Sequence, residues 1–461
     1  MGFHRYALAL VSIVVFGSAT AHARVVPVAT PAELTTAIGA AVAGDEIVLA
    51  DGTYALTGAS CNAVGTTASP IVVRSANPMG AKIEFNGLEG FKVSGAHWQF
   101  IGLDIKGVCP DDNNCEHAFH VSGAAHYFVL KNSKITDFNA QLKVNASLIG
   151  AGYVTPNNGL IEGNDVGDTR KRMTANPTTK LNIDTGDDWV VKRNFIHDGE
   201  KGLGDYVSYM AFMKSGGKRG IFEQNLVICA AGGINASGYR IGLSFGGGGT
   251  APQFCAPAFN ANTPCNVEHD GGIIRNNIIV NCSDVGVYLN RSANSHVLYN
   301  TMIETGGVDF RFNTTTGEAR GNLMGGLIRQ RDAAVSMESN NLENTILGVF
   351  QMMYRMPLTG DLTVIGGVGM LSGGAANPLV TDDYCGRTRP AGALTIGAVE
   401  HTLGACNTTN PTSDAGVGGD AGTDPADEMD GCVCRAGGNP ASALPVGIVA
   451  IVLGLRRRRR A

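Results

Sequence analysis

The sequence WVVKRN at residues 189–194 returns 31 residues later as GIFEQN at residues 220–225. Each copy is a short strand that alternates apolar and polar residues and closes on Asn. Working outward from this pair, the strand-ending asparagines are Asn132, Asn164, Asn194, Asn225, Asn277, Asn300, Asn322 and Asn341. The steps between them are 32, 30, 31, 52, 23, 22 and 19 residues, and the longest step contains a Gly-rich insertion at residues 246–270. The chain therefore repeats a unit of roughly 20–30 residues.

A repeat of this length with two or three short strands is typical of a solenoid, whose coils stack because no coil can bury its apolar face alone. Asn suits the fixed position because it tolerates a left-handed backbone and because its amide can bond the Asn of the next coil. A sandwich of hairpins would need two-residue Asn-Gly turns about 8–12 residues apart, which is not the pattern here. We therefore predict an all-β chain that forms a single parallel β-helix.

The start of the repeat is predicted to be capped by a helix. Residues 32–43 form the one good amphipathic helical pattern, and the strand-like residues 45–54 follow it. The open end of a solenoid exposes unpaired strand edges and apolar core, so a helix is needed to cover it.

Both ends of the chain predict export. Residues 1–23 have a polar start, an apolar run and an A-x-A site ending at Ala23, which is the pattern of a secretory signal peptide. The β-helix domain is assigned to residues 24–406, and a disordered linker rich in Gly, Asp, Thr and Pro to residues 407–431. Residues 432–461 hold Cys432, Cys434, an apolar run and five arginines, an order that halts export at a membrane.

Composition excludes one class of partner. The net charge is −5, and Lys and Arg form no stripe outside the extreme C-terminus, so nucleic-acid binding is not expected. The 63 glycines oppose long helices. We expect a monomer.

The 11 cysteines are interpreted as structural, because an exported chain can keep disulfides and no spacing suggests a zinc site. Cys229 and Cys282 follow Asn225 and Asn277 by four and five residues, so we expect them to meet in neighbouring coils as a disulfide or a sulfur ladder. Three further candidate pairs flank short stretches, namely Cys109 with Cys115, Cys255 with Cys265, and Cys385 with Cys406.

Three stretches resemble known families. The helix followed by GDEIVLADGTY (residues 44–54) resembles the opening of pectate-lyase-like right-handed β-helices, most closely the chondroitinase B and alginate lyase family. The stretch at residues 382–400 resembles the final coil of many secreted right-handed β-helix proteins. The tail from Cys432 resembles the myxobacterial C-terminal sorting signal, which implies processing near Cys432 and Cys434 by sorting machinery and attachment at the outer-membrane surface.

Counting back ten or eleven residues from each Asn predicts one column of outward side chains. The column contains Asp184, Lys214, Asn290, Arg311 and Arg331, with Gly246 near a missing rung. Arg and Lys match the oxygens of carboxylated or sulfated sugars, so an acidic polysaccharide is the expected partner. A solvated polar face is the alternative interpretation. His269 and Asp270 could orient substrate, and the loop between Cys255 and Cys265 is expected to flank the groove as a flap.

The stretch FMKSGGKRGIFEQN (residues 212–225) resembles the Lys-Ser strand of the chondroitinase B-like lyases, which implies that Lys214 is the base of a β-elimination. The family's next coil ends in an Arg, but Gly246 stands there, so Arg240 is the nearest substitute. The acidic residues that hold calcium in the family are replaced by Val207 and Tyr209. We therefore predict no cofactor and no metal ligand, although the resemblance leaves calcium possible.

Two alternatives stay open. Loss of the acidic residues favours a non-catalytic surface protein that binds glycan or a neighbouring cell. Asp184, Asp187 and Asp188 favour a glycoside hydrolase of polygalacturonase type, because paired carboxylates cleave such chains.

Overall fold

The computed structural model describes residues 24–409, except Gly233, Asn235, Ala236 and Gly248. The signal segment, the tail with Cys432 and Cys434, and the linker beyond residue 409 lie outside the described residues. Within the described part, no helix is long and apolar enough to cross a membrane.

Three long parallel sheets form the walls of a right-handed parallel β-helix, as predicted. Sheet A consists of Arg24–Val28, Asp45–Leu49, Ile71–Ser75, Trp98–Ile101, Val129–Lys131, Leu160–Glu162, Val190–Lys192, Ile221–Glu223, Ile273–Arg275, Ser295–Leu298, Thr316–Arg320 and Val335–Ser339. Sheet B consists of Gly52–Leu56, Ala81–Phe85, Asp104–Gly107, Lys134–Thr136, Asp165–Gly167, Phe195–His197, Leu226–Ile228, Ile278–Val280, Thr301–Ile303 and Leu323–Met324. Sheet C consists of Ala59–Cys61, Glu89–Val93, His117–Ser122, Ala140–Asn145, Thr178–Asp184, Val207–Lys214, Tyr239–Phe245, Val287–Asn290, Gly307–Arg311 and Leu327–Arg331.

Smaller elements decorate these walls. Gly217–Lys218, His269–Asp270 and Ser292–Ala293 form a short three-stranded sheet beside the insertion, and three two-stranded sheets pair Ser147–Ile149 with Gly152–Val154, Tyr354–Met356 with Asp361–Val364, and Ser372–Gly374 with Leu394–Thr395. The helices are Pro31–Gly39 and Leu347–Met353, and short 3-10 turns occur at Asp112–Asn114, Pro252–Phe254, Pro357–Thr359, Val368–Leu371 and His401–Leu403.

The predicted asparagine ladder runs along the axis between sheets A and B. Each side-chain amide nitrogen donates to the side-chain oxygen of the next Asn at 2.9–3.0 Å, along Asn164, Asn194, Asn225, Asn277, Asn300, Asn322 and Asn341. Asn132 is not part of the ladder, because Ser133 occupies that position and its backbone nitrogen donates to Asn164. The left-handed residue is the one before each ladder position, such as Arg193 at φ 54° and Gln224 at φ 57°, so our assignment of that conformation to the ladder Asn is wrong.

The helix Pro31–Gly39 closes the N-terminal end by placing Leu34 and Ile38 against the core. Thr30 accepts from the backbone of Glu33, and the Glu33 carboxylate accepts from the backbone of Thr30, which is a capping box. The helix stops at Gly39 and not at residue 43, and the backbone N–H of Ala40 closes its last turn on the carbonyl oxygens of Thr36 and Ile38.

The C-terminal segment does not form a final coil. Instead, residues 347–409 fold back over the outer face of sheet B. Apolar side chains of that face, among them Leu226, Ile278 and Leu323, are buried against Phe350, Tyr384 and Ile396. Arg389 fastens the segment by bonding Asn276 at 3.1 Å and Glu400 at 3.2 Å.

All four predicted cysteine pairs are disulfides, namely Cys109–Cys115, Cys229–Cys282, Cys255–Cys265 and Cys385–Cys406. The Cys229–Cys282 bond joins neighbouring coils, which agrees with the register taken from the asparagines. Cys61 is a buried free thiol.

Candidate functional site

A groove of about 670 Å³ lies on the outer face of sheet C. It is lined by Lys143, Pro177, Thr178, Thr179, Asn182, Asp184, Lys201, Asp205, Val207, Tyr209, Phe212, Lys214, Gly247, Gly249, Tyr288, Asn290, Arg291, Arg311 and Phe312. Cations and aromatic rings dominate this surface, and only two of its side chains are carboxylates. Such a lining suits an anionic ligand with flat apolar faces.

The predicted outward column is present in the sheet. Asp184 pairs with Lys214, Asn290 with Arg311, and Arg311 with Arg331. Gly246 follows Phe245, whose partners are Met213 and Leu289, so it occupies the rung between Lys214 and Asn290.

Gly246 leaves a gap in this column. Its φ is +73°, and a Cβ built there would lie 1.9 Å from the carbonyl oxygen of Asn290. No side chain fits without moving the backbone, which explains why the Arg expected from the family cannot stand at this position. The rung after Lys214 therefore carries no side chain.

Lys214 and Lys143 share Asp184. The Lys143 Nζ lies 2.7 Å from Asp184 Oδ2, and the Lys214 Nζ lies 3.7 Å from Asp184 Oδ1. Burial alone would raise the pKa of Asp184, but the two ammonium groups outweigh burial and lower it. Burial lowers the pKa of Lys143 despite the opposing charge of Asp184. Asp184 is therefore an ionised anchor that holds both amines against the groove floor.

A chain of hydroxyl groups connects Asp184 to a second buried carboxyl. Ser215 donates to Asp184, and its Oγ lies 2.9 Å from Thr250 Oγ1. Thr250 in turn donates to Glu268 through its backbone nitrogen and its hydroxyl, both at 2.8 Å. Burial raises the pKa of Glu268. This network fixes the turn after Lys214 to the start of the insertion.

The far half of the groove is organised around Tyr288. Arg311 Nη1 donates to the Tyr288 hydroxyl at 3.1 Å, and Asn290 Nδ2 donates to it at 3.2 Å. Two donors occupy the lone pairs of that oxygen, so its own proton is available to a third group. The Phe312 ring is flanked by Arg291 and Arg311, whose guanidinium carbons lie 5.1 and 4.7 Å from the ring centroid.

The structure does not bring Arg240 to Lys214. Arg240 pairs with Ser208, six residues before Lys214 along the neighbouring strand, which corresponds to about 20 Å. Its side chain is also buried, with 1% exposed. Closeness along the chain did not give closeness in space, because Arg240 is near the start of its strand and Lys214 is at the end of the neighbouring strand.

His269, which was predicted to orient substrate, is buried away from the groove. It is 1% exposed and stacks on Phe245 with ring centroids 4.2 Å apart, and Gly220 donates its backbone N–H to His269 Nε2 at 3.3 Å. Burial and the charge of Arg219 lower the pKa of His269 to about 3. It is a neutral packing residue. Asp270 lines a separate depression, under the loop between Cys255 and Cys265.

Arg331 extends the column past the groove lining, where it bonds Asp309 at 2.6 Å. Asp187 and Asp188 pair with Arg219 at 3.2 and 2.7 Å and do not line the groove beside Asp184. The loop between Cys255 and Cys265 stacks Phe259 on Tyr153 of the Ser147–Val154 hairpin, with ring centroids 4.5 Å apart.

The residues at the expected calcium position do not fit that ion. Val207 and Tyr209 line the groove and offer no carboxylate. Asp184, the nearest carboxylate in the column, is already engaged by two lysines and Ser215. Calcium takes six to eight oxygen ligands, and the other groove carboxylate, Asp205, is paired with Lys201.

Lys143, Tyr288 and Arg291 also line the groove, but they were not predicted from the sequence. Lys143 stands two residues before Asn145, the register partner of Asp184. The hairpin at residues 147–154 lies between Asn145 and Asn164. Counting back ten or eleven residues from Asn164 therefore ends in the hairpin and not in the sheet C strand. Lys143, Phe212 and Tyr288 share one register position, two residues before the predicted column. The available signal for this second column was an aromatic residue two positions before Lys214 and before Asn290.

Comparison with known proteins gives a fold and a partial family match. The chondroitinase B family model matches residues 28–149. The solved structure of pectate lyase Pel9A is similar with a TM-score of 0.52 at 14% identity, over 82% of this chain and 97% of that one. An alginate lyase from Paenibacillus sp. str. FPU-7 is similar with a TM-score of 0.42 at 15% identity, over 70% of this chain and 96% of that one. No curated protein matches the sequence.

Proposed function

We propose that this chain is a polysaccharide lyase that cleaves an acidic polysaccharide by β-elimination in the groove of sheet C. The observation that carries the proposal is the position of Lys214. Its amine lies in the groove, 3.7 Å from the anchoring Asp184 and beside the gap left by Gly246. The partial match to the chondroitinase B model supports the same reaction class.

The reaction breaks one bond and forms a double bond. A base removes the proton from C5 of a uronate, the C4–O bond breaks, a C4=C5 double bond forms, and the leaving oxygen takes a proton. In our assignment Lys214 first releases its ammonium proton to solvent, and its Nζ then accepts the C5 proton. A cation must also neutralise the uronate carboxylate, because this makes the C5 proton more acidic.

Arg311 and Tyr288 are assigned to the other two tasks. Arg311 stands three rungs from Lys214 in the same column, about 14 Å by strand spacing. Its long side chain enters the groove, where it can pair with the carboxylate of a uronate held between them. Tyr288 receives hydrogen bonds from Arg311 and Asn290, so its hydroxyl proton is directed to the leaving oxygen. Tyr209 and Phe312 are part-exposed in the groove and offer surfaces on which sugar rings can pack.

The test is ultraviolet absorbance on a panel of alginate, pectate and glycosaminoglycans, since elimination creates an unsaturated uronate. We expect new absorbance with one polymer class. Lys214→Ala should lower kcat by about 10²–10⁴-fold, the usual contribution of a general base. Lys218→Ala is the matched control, because Lys218 is exposed and lies outside the groove lining. Full activity in Lys214→Ala would remove Lys214 from the mechanism.

A non-catalytic glycan-binding protein is the second candidate. The specific observation in its favour is the absence of carboxylates at Val207 and Tyr209, together with the distance of Arg240 from Lys214. Measurable binding of a polymer without new absorbance on any of them would favour this candidate.

We also propose that the chain is secreted and attached at the cell surface, with acidic polysaccharide and the sorting machinery as its partners. The support is the sequence of the two ends. Cell fractionation of the Cys432→Ser, Cys434→Ser double variant tests this. Unchanged surface attachment would contradict a processing role for the two cysteines.

A further inference from the structure

A second cluster of reactive side chains lies on the outer face of sheet C, toward its N-terminal end. Glu89 and His117 are register partners in neighbouring strands, and His120 follows His117 by three residues, after the buried Ala118 and Phe119. One ligand atom from each of the three residues lies within 4.8 Å of the others. Their side chains are 15–26% exposed, so a ligand can reach them from solvent. The elimination described above uses none of them.

The spacing of the three donors suits a small metal ion. His117 Nδ1 lies 3.4 Å from Glu89 Oε1, and His120 Nδ1 lies 2.6 Å from the same oxygen. Zinc binds nitrogen and oxygen ligands at about 2.0–2.2 Å in tetrahedral geometry, which separates two ligands by roughly 3.4 Å. The first distance already has this value. The second is a hydrogen bond, which would lengthen by about 1 Å when an ion replaces the shared proton.

The outer partner of His120 supports the same conclusion. His120 Nε2 lies 3.1 Å from the amide oxygen of Asn145. Imidazoles that bind metal usually donate their other N–H to an oxygen, and that bond fixes the tautomer. With Nε2–H on Asn145, the Nδ1 lone pair of His120 faces the Glu89 carboxylate. The position between these two atoms then requires a cation, which is either a proton or a metal ion.

The nearby lysines do not occupy this position. Lys92 and Lys143 are the register partners of His120 on its two sides. Lys92 is exposed, and the Lys143 amine is turned to the next coil, where it bonds Asn182 at 3.1 Å and Asp184 at 2.7 Å.

We propose that Glu89, His117 and His120 bind one divalent transition-metal ion of the zinc type, with a further coordination position open to solvent. Two imidazoles and one carboxylate are a zinc-type donor set, whereas calcium prefers oxygen ligands alone. This departs from our sequence-based expectation of no metal ligand. The site faces the same side of sheet C as Asp184, so its open position can take a uronate carboxylate of a bound chain. That last assignment rests on the proposed function.

Calorimetric titration of zinc into the full-length, chelator-treated chain tests the site without any polysaccharide. We expect one site whose affinity falls by at least about 100-fold in His117→Gln and in His120→Gln, because losing even an outer-shell partner costs 10–100-fold. His296→Gln is the matched control, since His296 also pairs with a carboxylate, Glu318 at 2.8 Å, but belongs to no such group among the described residues. Thermal unfolding confirms that each variant is folded.

Only zinc binding that the two variants lose is assigned to the site, because His4, His22, Cys432 and Cys434 offer other ligands. Three results overturn the proposal: no zinc bound by the parent chain, equal affinity in His120→Gln, or a comparable loss in His296→Gln. Preferential binding of calcium overturns the choice of metal.

The uronate assignment has its own measurement. Lys214→Ala is titrated with trigalacturonate and with trimannuronate, with and without zinc. Tighter binding of either probe with zinc supports the assignment, and zinc-independent binding overturns it while the metal site stands. Because the zinc titration needs no turnover, its failure and a failure of the lyase proposal are distinguishable.

Discussion

Sheets B and C use their outer faces in opposite ways, although both belong to the same coils. On sheet B, Leu226 and Ile278 point outward and are buried beneath the C-terminal segment. On sheet C, Lys214 and Arg311 point outward into an open groove. The inner faces of both sheets enter one apolar core. The core therefore determines the fold, whereas the outward side chains determine whether a wall is covered or available to a ligand.

The largest expected effect is on the open wall. Tyr288→Phe removes the proposed proton donor, and we expect kcat to fall by about 10²–10⁴-fold with little change in thermal unfolding. Tyr239→Phe is the control, because Tyr239 lies in sheet C but is exposed outside the groove. Equal rates for the parent chain and Tyr288→Phe in the ultraviolet assay would exclude Tyr288 as the acid.

On the covered wall, the largest effect should come from Arg389. Arg389→Ala leaves the buried Glu400 without its guanidinium partner, and breaking such a pair typically costs 3–5 kcal/mol. Arg331→Ala should cost clearly less, because Arg331 is exposed and its buried partner Asp309 keeps a second arginine, Arg329. Denaturant unfolding measures both. Similar losses in unfolding free energy for the two variants would mean that the C-terminal segment does not depend on the Arg389–Glu400 pair.

Truncating an apolar side chain should also cost more unfolding free energy on the covered wall of sheet B than on the open wall of sheet C. Leu226→Ala truncates a residue sealed between sheet B and the C-terminal segment, so we expect a loss of about 2–5 kcal/mol in the free energy of unfolding. Val207→Ala, on the half-open wall of sheet C, should cost under about 1.5 kcal/mol, since fewer contacts are lost. Equal losses would show that the covering segment adds little packing.

The smallest expected effect is a pH dependence from two histidines with opposite shifts. Burial alone would lower the pKa of His197, but its hydrogen bonds to Asp165 and Asp198 outweigh burial and raise it to about 9. Its contribution is thus complete below about pH 6.5 and is lost as the pH rises through 9, with a maximum of about 3 kcal/mol. His269, whose pKa is lowered to about 3, costs stability as the pH falls below about 6.5.

Unfolding free energies measured from pH 5 to 10 on the parent chain, His197→Gln and His269→Gln separate the two effects. His197→Gln should flatten the decline on the alkaline side, and His269→Gln should flatten the decline on the acidic side. A decline unchanged in His197→Gln would contradict the ion pairs assigned to sheet B.

The sequence was sufficient where the relevant physics is local and periodic. The register of Asp184 with Lys214 and of Asn290 with Arg311 follows from the ladder, because each Asn sets the position of its own coil. Cys229 and Cys282 follow in the same way. The error at Asn132 was a shift of one residue, because Ser133 can accept the same hydrogen bond as an Asn.

Contacts that do not follow from the spacing of the ladder asparagines could not be predicted from the sequence. Burial of His269 depends on its stacking against Phe245, which lies in the same coil on the other side of the long insertion, and the covering of sheet B depends on chain that follows the last coil. Arg240 is close in sequence to Gly246, but it lies near the start of its strand and Gly246 follows the end of that strand. The hairpin at residues 147–154 concealed Lys143, because an insertion changes the count without changing the register.

Along the asparagine ladder, the number of residues in a coil does not change the distance between neighbouring coils. Asn225 and Asn277 are 52 residues apart and Asn322 and Asn341 only 19 apart, yet their amides bond at 2.9 and 3.0 Å. A coil can accordingly accept a longer detour at its rim while its neighbours keep their spacing. The same property makes the exposed loop between Cys255 and Cys265 a natural location for grafting foreign peptide segments onto this scaffold.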